Sequence, residues 1–307
     1  MLPDLWIPER ATADERALFD GLATIHVVPA QGSLPDRLGH ADILVSAHGV
    51  ERSLEAILKL EGLKVVQSFS AGIDGLIGRI PEGITLCDAA GVHDISVSEW
   101  AMMAILAVRR NLPEHVRSQS EGVWRPRTEV EPEDLEGAQV LILGYGSIGR
   151  TLERYLTPFG AEVTRVARRA RDGVSGTGDL RRLLPRADIV VNLLPLTPET
   201  RGFIDAAFLA LMRPGALLVN ASRGAVVDTA ALVEALNGRR IRAALDVTAP
   251  EPLPEGHPLW TAPGVLITPH VAGDVAAENR RAWQLVADQV RRYGAGEPLR
   301  NIVIDGY

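Results

Sequence analysis

Three residues in the second half of the chain have types and settings suited to acid–base and anion chemistry. Arg223 stands in Asn220-Ala-Ser-Arg-Gly-Ala-Val-Val-Asp228, Glu251 in Leu245-Asp-Val-Thr-Ala-Pro-Glu-Pro252, and His270 in Ile267-Thr-Pro-His-Val-Ala-Gly273. Each stretch opens at the carboxyl end of an aliphatic run that reads as a β-strand, the edge where open α/β sheets bind ligands. An imidazole can donate a proton to a reacting oxygen. A carboxylate beside it favours the imidazolium form that donation needs. A guanidinium offers a planar fork for a carboxylate or for charge developing on an oxygen. A lone arginine after a strand is ordinarily a surface ion pair, and a lone histidine is ordinarily structural. The ordered set of three, behind a nucleotide-type turn, is what points to catalysis.

That turn is Gly144-Tyr-Gly146-Ser-Ile-Gly149, entered directly from Gln139-Val-Leu-Ile-Leu143. A G-x-G-x-x-G string alone is weak, but this one follows a strand and opens a helix. Gly144 permits the tight turn, Gly146 lets a pyrophosphate approach the backbone, and Gly149 lets helix and strand pack closely. The N–H groups of Ser147 and Ile148, at the helix start, would face the phosphates. The next strand ends in Val166-Ala-Arg168-Arg169, about 20 residues further on, where an acidic residue would bond a ribose 2′-hydroxyl. No carboxylate stands there. Two guanidinium groups favour a 2′-phosphate instead, so NADP(H) is expected over NAD(H), with NAD(H) still possible. The alternative is a solvated arginine face running on to Arg171.

The elements that must position these residues alternate from end to end. Early strands are expected at Thr24–Val28, 42–46, 64–69 and Thr85–Cys87. Later ones are expected at Gln139–Leu143, 162–166, 189–194, 216–220, 243–247 and 265–268. Helices are expected at 147–159 and Thr229–Asn237, at 96–110 between the two strand groups, and at 276–293 after the last strand. The runs lack strict polar alternation, as strands covered on both faces do. An α/β chain with doubly wound parallel sheets follows. The polar stretch 118–136 reads as a surface excursion, and residues 301–304 as a return to the first lobe. Asp228 reads as a helix cap, Cys87 as a small core residue, and Trp100, Met102 and Met103 as core or subunit interface.

Composition narrows the class. The 307 residues suit two domains at roughly 150 each. The chain is 46% hydrophobic and 23% charged, which excludes disorder and collagen-like folds. A formal charge of −7 argues against a nucleic-acid backbone binder. The single cysteine excludes an intrachain disulfide and a cysteine-based zinc site. No apolar run approaches the ~20 residues of a membrane span, and the first residues, MLPDLWIPER, do not resemble a signal peptide. A cytoplasmic location without a membrane partner or a metal is the expectation.

In order and spacing these stretches resemble the D-isomer-specific 2-hydroxyacid dehydrogenase family over nearly the whole chain. The resemblance also rests on Ser70-Ala71-Gly72-Ile73-Asp74, Gly91-Val92-His93, Val97-Ser98-Glu99 and Leu194-Pro195-Leu196-Thr197. It implies a flavodoxin-like substrate domain from residues 1–97 plus 274–307, and a Rossmann dinucleotide domain from 98–273. It implies reduction of a small 2-oxo acid to a D-2-hydroxy acid, of the glyoxylate or hydroxypyruvate type, in a homodimer. Arg223, Glu251 and His270 would be catalytic, with Arg223 and His270 on the substrate beside the backbone of Ala71 and Gly72. Leu194, Pro195 and Thr200 would lie along the nicotinamide ribose, and Ala221, Asp246 and Gly273 near the carboxamide. Many members carry His or Cys before the Leu-Pro pair, where this chain has Asn192 two positions earlier. His48 and His93 are either substrate-facing or loop residues, and Trp124 could reach a partner's site. Other readings are a nucleotide-sensing regulator of the C-terminal binding protein type and a phosphite dehydrogenase, although no basic residue stands in 70–72. Formate dehydrogenase is disfavoured, because that family has Gln where Glu251 stands. Phosphoglycerate dehydrogenase is disfavoured because no appended regulatory domain follows Tyr307.

Overall fold

The computed structural model describes residues 2–47, 50–128 and 130–304. His48 lies outside the described residues. The chain divides into two compact units, Met1–His93 with Val275–Tyr307, and Asp94–Asp274.

In the first unit, among the described residues, five parallel strands form the main sheet. They are β1 (Asp4–Pro8), β2 (Thr24–Val28), β3 (Ile43–Ser46), β4 (Val65–Ser68) and β5 (Thr85–Cys87), in the spatial order β2-β1-β3-β4-β5. That is the flavodoxin-like order. The strand at 4–8 is a correction to the sequence reading, which assigned none there. Its five residues are too few to show a period, and Pro3 and Pro8 mask it. Its inner residues settle the matter, since Leu5 and Ile7 are wholly buried between β2 and β3. The helix Ala276–Ala295 covers the sheet with Trp283, whose ring meets Phe19 and Phe69 edge-on. The chain then returns to pair beside β5, where Val303 N–H donates to the Leu86 carbonyl and Asp88 N–H to that of Asn301.

Cys87 ends β5 with no exposed surface, and burial pushes its thiol up to about 11. A thiol raised this far stays protonated, and so inert, until pH approaches that value. Iodoacetamide at pH 8 should therefore leave the native chain unlabelled and add one carboxamidomethyl group only after denaturation. Intact-mass spectrometry reads the difference.

In the second unit seven parallel strands are described: β6 (Gln139–Leu143), β7 (Glu162–Ala167), β8 (Ser175–Gly176), β9 (Ile189–Asn192), β10 (Leu217–Asn220), β11 (Arg242–Leu245) and β12 (Val265–Ile267). Their order is β8-β7-β6-β9-β10-β11-β12. This is the Rossmann arrangement with one strand added, and the order reverses between β6 and β9. Both faces are covered. Leu141, Leu143 and Val190 join one core cluster, while Val140, Ile142, Ile189 and Val191 join the other. The period of two is present, but apolar residues fill both phases, so the sequence shows only a continuous run. The helix Asp94–Arg109 lies in the second cluster through Val97, Ala101 and Ile105. Among the described residues no helix is long and apolar enough to cross a membrane.

Candidate active site

The second unit brings Glu251 and His270 together. His270 Nδ1 lies 2.5 Å from Glu251 Oε1, with 45% and 40% of the two side chains exposed. The carboxylate occupies Nδ1 and leaves Nε2 to carry the proton that would be exchanged. Backbone geometry aims the ring. His270 has φ +56°, and its N–H donates to the carbonyls of Asp246 (2.7 Å) and Thr268 (3.1 Å). Arg223 leaves the end of β10 half-buried, with Nη1 donating to the Ser222 carbonyl at 2.8 Å.

Two buried polar clusters, which the sequence reading did not assemble, hold these loops. Asp246, at 2% exposure, accepts Thr268 Oγ1 (2.6 Å) and Val271 N–H (2.9 Å) on one oxygen, and Ala272 N–H (2.9 Å) on the other. Trp100 Nε1 donates to the same Thr268 hydroxyl at 3.0 Å. Asp246 therefore fixes the loop that carries His270. Asn192 and Asn220 are paired at the ends of β9 and β10, with Asn192 Nδ2 donating to Asn220 Oδ1 at 3.0 Å. Asn220 Nδ2 holds the Arg223 carbonyl (3.2 Å), and Asn192 Oδ1 accepts Leu194 N–H (3.2 Å). One amide pair thus joins the loop of Leu194 and Pro195 to the loop of Arg223. The only sequence signal was that both Asn residues end apolar strands, where a buried polar group needs a partner.

The glycine turn has the form a dinucleotide needs. Gly144 has φ +97°, and a Cβ there would sit 2.6 Å from the Leu193 carbonyl carbon. Gly149 packs its Cα face against Ile142 and Tyr145, with a Cβ meeting Ile142 at 3.2 Å. Gly146 faces open space, with nothing within 4 Å of a Cβ, just before the helix Ser147–Leu156. The first N–H groups of that helix have no partner within it. Gly144→Ala should therefore destabilise the fold by about 2 kcal/mol or more. Gly146→Ala should leave Tm unchanged yet weaken nicotinamide-dinucleotide binding about tenfold or more. Thermal melts and fluorescence titration separate the two outcomes.

Beyond the end of β7, Arg168 and Arg169 are exposed. Arg165 is bound to Glu153 through Nε (2.9 Å) and Nη2 (2.5 Å) and stacks over the Tyr145 ring. Arg171 donates to the Tyr145 carbonyl at 2.9 Å. These contacts brace the glycine turn. Glu199 is held below its ordinary value first by the Thr197 hydroxyl, with a smaller share from Arg168. The Thr200 hydroxyl donates to the Pro195 carbonyl at 2.6 Å and shapes the loop after β9. Ala221 and Gly273 follow β10 and the His270 turn, half-buried.

The remaining sequence candidates sit as follows. In the first unit, Gly72 N–H donates to Ser70 Oγ at 3.1 Å, so offering it to a ligand requires that hydroxyl to rotate away. Ala71 is half-buried. His93 is tied to the Phe69 carbonyl at 3.3 Å, 3.8 Å from Glu278. Asp228, of the second unit, caps the helix Thr229–Asn237 by accepting Ala231 N–H. In the second unit, Trp100 and Met102 are buried, Met103 is 45% exposed and Trp124 93% exposed.

The profile of the D-isomer specific 2-hydroxyacid dehydrogenase NAD binding domain matches residues 102–272, and the chain belongs to that family. A glyoxylate/hydroxypyruvate reductase A from Photorhabdus laumondii is 31% identical over 264 residues, 81% of this chain and 82% of that protein. A D-3-phosphoglycerate dehydrogenase from Methanocaldococcus jannaschii is 33% identical over 279 residues, which are 88% of this chain. The match spans only about half, 53%, of that relative's length. Among solved structures, the NADPH-dependent glyoxylate/hydroxypyruvate reductase of Sinorhizobium meliloti, in complex with NADP and sulfate, superimposes with a TM-score of 0.84. It is 28% identical and covers 99% of this chain and 100% of its own.

Proposed function

We propose that the chain is an NADPH-preferring reductase of small 2-oxo acids to D-2-hydroxy acids, acting reversibly in the cytoplasm as a homodimer. The observation that carries this reading is the 2.5 Å pairing of His270 Nδ1 with Glu251 on a Rossmann unit that also presents Arg223 at a strand end. The residues present fit a dinucleotide, since Gly146 leaves its backbone open beside helix-start amides that have no partner within the helix. Ser147 and Ile148 would hold the pyrophosphate. Leu194, Pro195, Thr200, Ala221, Asp246 and Gly273 would border the nicotinamide end. When bound, the nicotinamide supplies the hydride. The chain's own residues do the rest. Arg223 holds the substrate carboxylate or carbonyl oxygen and stabilises charge gathering there. His270 gives its Nε2 proton to that oxygen, and Glu251 steadies the imidazolium before transfer. Ala71 and Gly72 are proposed to bind the carboxylate through backbone N–H groups.

Arg168 and Arg169 support the cofactor preference, because neither has a carboxylate partner in hydrogen-bond contact among the described residues. A 2′-phosphate would supply one. Replacing both with alanine should lower kcat/KM for NADPH about 10²-fold and change that for NADH little, at ~1.5–3 kcal/mol for each charged hydrogen bond lost. Initial rates with each cofactor across glyoxylate, hydroxypyruvate, pyruvate, phenylpyruvate and 3-phosphooxypyruvate test the reading. Turnover of at least one with NADPH at higher kcat/KM than with NADH supports it. Cofactor binding without oxidation by any of them, or a clear NADH preference, overturns it.

A further inference from the structure

We propose that the first unit carries a divalent-cation site of the zinc class, formed by Asp4, His40 and Asp42 at the end of the sheet where β1 begins. One carboxylate oxygen from each aspartate and one ring nitrogen of His40 lie within 4.8 Å of one another. Tetrahedral zinc, with bonds near 2.0–2.1 Å, separates its ligands by about 3.3 Å. Coordination would draw the three ligand atoms together to that spacing, and the set is exposed enough on the His40 side for water to complete the shell.

Paired carboxylates on a surface do not call for a cation by themselves. Here three further features do. Neither carboxylate has an arginine or lysine partner among the described residues, in a chain where many others do. Each is instead held by an outer neutral or weakly basic group, the arrangement typical of metal ligands. Asp42 accepts the Asp4 N–H and the Tyr293 O–H, both at 2.9 Å. Asp4 Oδ1 is 2.7 Å from His26 Nε2, whose ring is stacked on Trp6 at 5.0 Å. The third feature is the room made for His40. Its carbonyl accepts Trp6 Nε1–H at 2.9 Å, and the Nδ1–Cε1 edge of its ring lies over Gly62. A Cβ on Gly62 would fall 2.5 Å from that ring, and its φ of +74° already favours glycine. Glycine at 62 thereby leaves the space in which the His40 ring lies beside the two carboxylates. With His26 serving Asp4 from outside, the ligand set is one imidazole and two carboxylates, a mixed N/O set suited to zinc-like ions.

The test uses the full chain, stripped with EDTA and dialysed against zinc sulfate. Bound zinc is measured by elemental analysis, and thermal melts are run in parallel. Wild type should retain one equivalent more than His40→Ala, and its Tm should rise by about 4 °C or more at saturating zinc, with no rise in His40→Ala. Asp4→Asn should lose the same equivalent. His270→Asn should keep it, which separates this site from the His270–Glu251 pair. Equal stoichiometry in wild type and His40→Ala, or adventitious weak binding only, overturns the proposal.

Discussion

Replacing His270 with glutamine should lower kcat for 2-oxo acid reduction by about 10²- to 10⁴-fold, the range lost with a positioned general acid. That corresponds to roughly 3–5 kcal/mol of transition-state stabilisation. Glutamine keeps a hydrogen-bonding end but has no titratable proton to give. Affinity for NADPH should stay within about twofold of wild type, since in the proposed mechanism His270 offers Nε2 to the substrate and not to the dinucleotide. Steady-state rates and fluorescence titration of the cofactor read the two effects separately. Glu251→Gln is milder, about 10- to 100-fold, because it removes the charge from the bond to Nδ1 and keeps the bond. A glutamine variant at 270 as active as wild type would end the proton-donor assignment. The strain at this residue adds a control. With φ at +56°, His270→Asn occupies the left-handed region readily, so an asparagine variant that melts like wild type yet is inactive shows that chemistry, not folding, was lost.

The second large effect is at Arg223. Arg223→Gln should lower kcat/KM about 10³-fold or more, and Arg223→Lys should recover only part of it, because an ammonium lacks the planar two-pronged donor face. The loss should fall on both kcat and KM, since in the proposed mechanism the same fork binds the carboxylate and steadies the oxygen as it gains charge. The next residue shows how tightly the loop is placed. A Cβ on Gly224 would lie 1.9 Å from the Thr248 carbonyl oxygen and 2.7 Å from Ala249 N. Thr248 opens the segment that carries Glu251. Gly224→Ala must therefore push the Arg223 loop away from the Glu251 loop, because both contacts are backbone and neither can rotate aside. It should depress activity about as strongly as Arg223→Lys and also lower Tm. Full activity in Gly224→Ala would mean that the two loops need not touch.

Much of this was legible in the residues. The three glycines of 144–149 announce a nucleotide turn because their conformational demands are local. Gly144 does have a positive φ, and Gly149 does lie against β6. The order Arg223, Glu251, His270 points to a shared edge because parallel strands all end on the same side of a sheet. The terminal pairing of 301–303 beside β5 followed from the length of the helix before it. Strand β1 was missed, since five residues flanked by prolines carry no readable period. Leu193 and Leu194, expected within a strand, instead leave the ladder after Asn192, where that amide takes the Leu194 N–H.

Sequence alone determined the α/β class, the glycine turn and the identities of the three candidate catalytic residues. These depend on backbone geometry and on periods that repeat within a dozen positions. Tertiary structure decided which nitrogen of His270 is taken up, that Asn192 and Asn220 join two loops, and that Asp246 spends its carboxylate holding the 271–272 amides. Those contacts link residues from 19 to 28 positions apart within 3.0 Å. Distances of that kind are set by how strands align across a sheet and how buried polar groups find partners, and no local pattern encodes either.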